Sequence, residues 1–229
     1  MSNEAEDQVR NQVPSGRAGL LVAAFIALAL VLPIVGFATL RLYTPQVMRD
    51  AEANLVAIAD LKAKQLENWL LERRGDAEML MMNADFSQRA LSLAAEGGGT
   101  QDRVRVRTIL RQIVASHQYS EAMVVAADGR IVVAAGDDPY LGAETRSAIG
   151  HIEPSTIQRV RLYLDERGHA HIEWLVSLGK PDMMSRQPVV VLRVEAGDFI
   201  YPLVQTWPGS SPSGETLLVR REGESVLFL

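Results

Sequence analysis

Residues 18–40, AGLLVAAFIALALVLPIVGFATL, run for 23 positions without a charged side chain. At about 1.5 Å per residue, a helix of that length reaches roughly 34 Å, enough for a hydrocarbon core about 30 Å thick. Backbone amides in lipid have to be satisfied within the chain, so such a stretch is constrained to be helical. Pro33 and Gly36 fit this reading, because membrane helices carry more of both than soluble helices do. A signal peptide has a shorter apolar region, of about 7–15 residues, and Ala38-Thr39-Leu40 is a poor small-x-small cleavage site. A buried core helix would carry some polar residues over such a length. The flanks do not set the orientation: Arg10 and Arg17 on one side are matched by Arg41 and Arg49 on the other.

Beyond the apolar run, Thr44 is placed to cap a helix and Pro45 to open it, since proline lacks the N–H that a first turn leaves unpaired. The predicted stalk helix covers residues 45–84. Ala51, Leu55, Ile58, Leu61, Leu66, Trp69 and Leu70 form an apolar stripe along it, with charges on the other faces. Its length, on the order of 55 Å, exceeds what one small core needs and suits a dimer stalk. Packing of its second half on a following sheet is compatible with that role. Met79, Met81 and Met82 near its end read as adaptable packing.

A short helix is expected over 87–96, ended by Gly97-Gly98-Gly99, and another from a Thr100 cap, with Val106, Leu110, Ile113 and His117 on its apolar face. Arg103, Arg107 and Arg111 form a stripe on that helix, read as a solvated face. The period then changes to that of strands. Residues 122–127 and 130–135 flank Asp128-Gly129, and 156–164 and 169–178 flank Asp165-Glu166-Arg167-Gly168, giving two hairpins. A short helix is expected over 143–149, a third meander strand over 187–194, a short helix over 199–205, a loop over 208–214, and a last turn at Glu222-Gly223 between 216–221 and 226–229. The fold class is α+β, with the helices massed at one end of an antiparallel sheet.

Composition excludes several functions. There are no cysteines, so disulfides, thiol nucleophiles and thiolate metal sites are out. A net charge of −5 gives no electrostatic reason to seek nucleic acid. No phosphate-binding glycine loop, zinc-protease motif, nucleophile elbow or kinase motif is present, so neither catalytic residues nor a cofactor is expected. His169 and His171 share a face at i, i+2, but no third metal ligand is evident, so they read as surface or pocket histidines. His151 stands alone.

The element order resembles the Cache family of extracytoplasmic sensor domains, built on a PAS-like sheet. NLVAIADLKAKQLENWLLERRGDAEML (54–80) is similar to the stalk helix that opens such domains, and EAMVVAADGRIVVAAGDD (121–138) to their first core hairpin. FIYPLVQTWPGSSPSGETLLVRREGESVLFL (199–229) resembles the passage between the modules of double-Cache proteins. The resemblance implies a cytoplasmic N-terminus over 1–17, a membrane helix over 18–40, a sensor domain over 85–207 and the start of a second module over 208–229. It places the sensor in the periplasm of a bacterium with an inner-membrane anchor. It also implies a signalling receptor of histidine kinase, diguanylate cyclase or chemoreceptor type, of which this chain is an N-terminal fragment, dimeric through the stalk. A membrane-anchored protein-interaction module without a small ligand is the alternative.

Family domains bind small molecules between sheet and covering loops, which points to Arg159, Arg161 and Tyr163 alternating onto one face of a strand, and to Trp174 on the next. An arginine grips a carboxylate with two parallel bonds, and Tyr and Trp supply apolar walls with polar tips. Tyr119 and Asp137, at the ends of the first hairpin, would close that pocket. The competing arrangement turns Arg159 and Arg161 to water and Val160 and Leu162 to the core. The amino-acid-binding pattern of the family is not recognisable in order, so no amino-acid ligand is implied.

Overall fold

The structure, a computed structural model, describes residues 15–116, 118–179, 187–206 and 215–228. The expected positions of His117 and of the 208–214 loop therefore lie outside the described residues. The chain divides into two units, Met1–Ile58 and Ala59–Leu229.

The first unit is the N-terminal part of helix α1, Ser15–Met82. Leu20, Phe25, Leu30, Ile34, Phe37 and Leu42 are all exposed on it, the arrangement expected of a helix whose solvent is lipid. Among the described residues, this is the helix long and apolar enough to cross a membrane. The expected new start at Thr44-Pro45 is corrected, because α1 runs through both Pro33 and Pro45. The Thr44 hydroxyl donates to the Leu40 carbonyl at 2.6 Å, a bond made back along the helix, rather than capping an amide ahead. Each proline removes one bond from the ladder while its neighbours keep theirs.

In the second unit, the remainder of α1 packs on a sheet. Trp69, Ala77 and Leu80 are buried there with Leu66 and Leu70 against them, whereas Leu61 and Leu71 stay exposed. Met81 joins the core, and Met79 and Met82 do not. Asn83 then separates α1 from α2, Ala84–Ala94, by accepting the Phe86 N–H at 3.0 Å. That cap starts the helix earlier than residue 87, the expected start. Helix α3, Thr100–Ser116, begins at Thr100 itself, and Asp102 reaches back to the Gly99 N–H at 3.3 Å. Arg103, from the predicted basic stripe, donates to the Val132 carbonyl on the adjoining strand at 2.5 Å. Arg107 and Arg111 are exposed.

The sheet has five antiparallel strands in the order β2-β1-β5-β4-β3. They are β1 Glu121–Val125, β2 Ile131–Ala135, β3 Ile157–Leu164, β4 Ala170–Ser177 and β5 Val189–Glu195. Helix α4, Ala143–His151, joins β2 to β3, and α5, Ile200–Gln205, follows β5. The strands β6 Val219–Glu222 and β7 Ser225–Phe228 pair as a separate hairpin. Lys62 of α1 donates to the Leu203 carbonyl of α5 at 2.6 Å.

Each face of the sheet buries its own core. One face, with Ala122, Val124, Ile172, Trp174, Val176, Val190, Leu192 and Val194, packs on α1, α2 and α3. Trp69 meets Trp174 edge-on at 5.7 Å and stacks on Phe199 at 4.8 Å, geometries that suit the ring quadrupoles. The other face, with Met123, Val125, Val160, Leu175, Val189 and Val191, takes Ala148 and Ile149 of α4. Covering both faces removes the polar side that an antiparallel sheet usually shows to water, and β4 is buried along its whole length.

Candidate functional site

The α4 face carries charge where a core would be expected to be apolar. Glu121, Arg193 and Glu173 stand in register on the adjacent strands β1, β5 and β4. Their strand positions turn all three to the same face as Met123, Val191 and Leu175. Arg193 is 1% exposed and Glu173 is 0% exposed, so these two are shut off from water, while Glu121 reaches the wall of a cleft. Arg193 donates through Nε to Glu173 at 2.7 Å and through Nη1 to Glu121 at 2.6 Å. Its Nη2 has no hydrogen-bond partner among the described residues, and the Tyr140 ring lies 4.7 Å from the guanidinium. Burial works against the Arg193 charge, but Glu173 and Glu121 outweigh it and hold its pKa above the ordinary value. Burial raises the Glu121 carboxyl, and Arg193 only partly opposes that.

The network extends to both neighbours of the row. Glu173 accepts from Thr145 of α4 at 2.8 Å and from the Tyr163 hydroxyl at 3.1 Å. Burial, then the Glu173 charge, push the Tyr163 phenol above its usual range. Tyr140 donates to Asp165, whose Oδ2 also faces His171 Nε2 at 2.8 Å. Asp165 Oδ1 accepts the backbone N–H groups of Arg167 and His169 at 2.9 and 2.8 Å. Burial alone would raise the Asp165 carboxyl, but Tyr140, His169, His171 and Arg167 together hold it well below the usual carboxylate range. The hairpin turn is tied to the loop before α4 twice more: Arg167 pairs with Asp138, and Glu166 accepts the Ala143 N–H at 2.8 Å. Glu166 thus supplies the cap that Gly142 cannot.

Next to this network is a cleft of about 430 Å³. Tyr119, Tyr140, His169 and His171 are among its walls, and its charges are Glu121, Asp137, Asp138, Glu195 and Asp198 against Arg167. Glu121 and Asp138 are occupied by arginines. Asp137, Glu195 and Asp198 have no side-chain partner among the described residues. Tyr119 is 3% exposed and is anchored by donating to the Arg73 carbonyl at 3.2 Å. Gly136 opens the loop with φ +121°, and a Cβ there would meet the Ser120 carbonyl at 2.7 Å.

Of the residues singled out in the sequence, Tyr119 and Asp137 come together at this cleft. Tyr163 belongs to the neighbouring buried network. The expected alternation of Arg159, Arg161 and Tyr163 onto one face is corrected by a bulge between Val160 and Tyr163, because an extra residue reverses the side-chain sense beyond it. Arg159 pairs across strands with Trp174, whereas Tyr163 pairs with His171. Arg159 and Arg161 are exposed on the edge strand β3, along a shallow depression that also reaches Arg221. Trp174 lies in the core against α1, on the face away from Glu173, so it does not share a wall with Tyr163.

Sequence reasoning missed Arg193, Glu173, Tyr140 and Asp165. The available signal was one ionisable residue within an apolar run, as in Ile172-Glu173-Trp174 and Leu192-Arg193-Val194. Asp165, read only as a turn residue, brings a carboxylate to the histidine pair: ligand atoms of Asp165, His169 and His171 lie within 4.8 Å of one another. No nucleophilic hydroxyl is bonded to His171 among the described residues. The arrangement is suited to binding and to holding the loop on the sheet.

No protein-family model matches the chain, and no curated protein matches it. Among solved structures, it is similar to the extracellular domain of a candidate histidine kinase, vpHK1S-Z8, at 13% identity and a TM-score of 0.43, over 67% of this chain and 63% of that one. It is also similar to a domain of a candidate sensory box/GGDEF family protein from Vibrio parahaemolyticus, at 13% identity and a TM-score of 0.43, over 66% of each chain. The chain therefore spans less than two thirds of the first structure's length. Likeness at this level assigns neither ligand nor activity.

Proposed function

We propose that this chain is the membrane-anchored sensory region of a signalling receptor, and that its globular unit takes up a small, positively charged molecule in the acidic cleft. The observation that carries this reading is the cleft wall itself, where Asp137, Glu195 and Asp198 have no side-chain partner among the described residues and Arg167 is already committed to Asp138. A carboxylate ligand, of the kind that arginines such as Arg159 and Arg161 can grip, would meet repulsion there. An amine would gain charge-assisted bonds to these carboxylates.

The fold supports the Cache-type resemblance in its element order, and the reading adopts that family's placement. In this proposal the apolar segment of α1 spans a bacterial inner membrane, the sheet lies in the periplasm, and two chains associate along exposed apolar positions of α1 such as Leu55 and Leu61. Ligand binding would act through the loop–hairpin network on the sheet and on Trp69 behind it. The coupling is limited to the ligand's difference in affinity between the two states.

The test is thermal unfolding of the full chain in detergent, with EDTA present, against putrescine as the amine probe and succinate as the carboxylate probe. At about one hundred times its dissociation constant, a ligand stabilises by about 2.7 kcal/mol, or roughly 5–10 °C for a domain of this size. A saturable rise with putrescine, reduced in Asp137→Asn/Asp198→Asn, is expected. A rise with succinate alone, or cooperative unfolding that moves with neither probe, would count against the reading.

A further inference from the structure

The turn of the β3–β4 hairpin and the start of β4 bring together Asp165, His169 and His171, with ligand atoms within 4.8 Å of one another. His171 Nε2 and Asp165 Oδ2 are 2.8 Å apart. Ligands on a tetrahedral zinc ion, at bonds of about 2.0–2.1 Å, sit roughly 3.3 Å from each other. An ion therefore needs only a small opening of this pair, in place of the proton they share. His171 Nδ1 is buried without a partner among the described residues, so it can carry the ring proton while Nε2 offers its lone pair.

Asp165 is already oriented by two backbone amides at Oδ1 and by Tyr140, the kind of outer support that fixes a metal-binding carboxylate. His169 is exposed, which gives an ion a route in. Glu195, the cross-strand partner of His171, lines the same cleft.

We infer that Asp165, His169 and His171 form a binding site for a divalent first-row transition ion of the zinc class. Two imidazoles and a carboxylate, with no thiolate in the chain, select such an ion over magnesium or calcium, which take oxygen ligands. The site does not depend on an amine ligand. It shares the cleft with the proposed amine site, so an ion bound here would also reduce the negative charge that the amine meets.

The experiment is titration of the tag-free full chain in detergent with Zn²⁺, followed by calorimetry, and with Co²⁺, followed by its visible absorption. One saturable ion per chain is expected, with a cobalt spectrum of nitrogen and oxygen ligation and no competition from equimolar Mg²⁺. His169→Ala, at an exposed position, is expected to leave the fold intact and weaken Zn²⁺ by about tenfold or more, while His151→Ala binds as the parent does. No saturable binding, equal affinity in His169→Ala, or loss of binding in His151→Ala would each overturn the assignment. The amine test is run in EDTA, so a failure there leaves this result standing, and the reverse also holds.

Discussion

Replacing Arg193 by methionine removes the cation from a buried row and leaves two carboxylates behind. Arg193 makes charge-assisted bonds of 2.7 Å to Glu173 and 2.6 Å to Glu121, and those residues are 0% and 9% exposed. Bonds of this kind contribute about 1.5–3 kcal/mol each, and breaking a buried pair from one side costs about 3–5 kcal/mol. A loss of about 4 kcal/mol is therefore expected at neutral pH, a large share of the 5–15 kcal/mol that ordinarily holds a domain together. For a unit of this size that is roughly 8–16 °C in melting temperature. The pH dependence has a definite sign. With Arg193 gone, nothing opposes the burial that raises the Glu121 carboxyl, and the charges of Asp138 and Glu173 push it the same way. A carboxylate with a raised folded pKa binds more protons when folded, so stability falls as pH rises through its titration. The Arg193→Met penalty should be smaller near pH 4 than at pH 7. The assay is thermal and urea unfolding of the full chain in detergent, alongside Glu121→Met/Glu173→Met/Arg193→Met, in which no charge is left unpaired. The triple variant should recover most of the loss, because apolar replacement of a whole buried ionic group is often neutral. A single-variant loss below about 1 kcal/mol, or a triple variant no better than the single, would refute the reasoning.

Three further expectations concern separate parts of the molecule. Trp174→Ala should cost about 3–5 kcal/mol in unfolding experiments, since the ring is 2% exposed and packed on Trp69. Asn83→Ala should cost about 1 kcal/mol by removing the Phe86 cap, measured by the same denaturation. Gly136→Ala should cost on the order of 1–3 kcal/mol, because φ is +121° and the new Cβ would press on the Ser120 carbonyl; a neutral result would mean that the loop before α4 re-forms another way.

The α+β order was legible because its punctuation is local. Asp128-Gly129 and Asp165-Glu166-Arg167-Gly168 mark turns whatever surrounds them, and Gly129 and Gly168 do adopt φ near +85°. The continuity of α1 through Pro45 was not legible, since Thr-Pro reads as a start signal until the helix on both sides is known. The bulge after Val160 is a property of pairing with β4 and leaves no mark in the β3 sequence, yet it decides on which face Tyr163 lies. The same holds for the charged row. Glu173 and Arg193 look like solvent-facing members of alternating strands, and only the placement of β5 between β1 and β4 buries them together. Asp137 and Tyr119 could be named because they flank a recognisable hairpin, whereas Glu195 and Asp198 reach the same cleft from the end of β5 and the turn after it, distant in sequence.

The bulge and the arginines of β3 have a consequence for how copies of this molecule meet. A five-stranded sheet ends in two border strands, here β2 and β3, and sheet borders in general invite strand addition from another chain. On β2 the Arg103 side chain occupies the Val132 carbonyl. On β3 the border is irregular at the bulge and carries the exposed charges of Arg159 and Arg161. A second sheet approaching that border would have to strip water from two guanidinium groups and match an irregular ladder. Both borders are thus poor templates for strand addition, which keeps the sheet of one copy from extending into that of another.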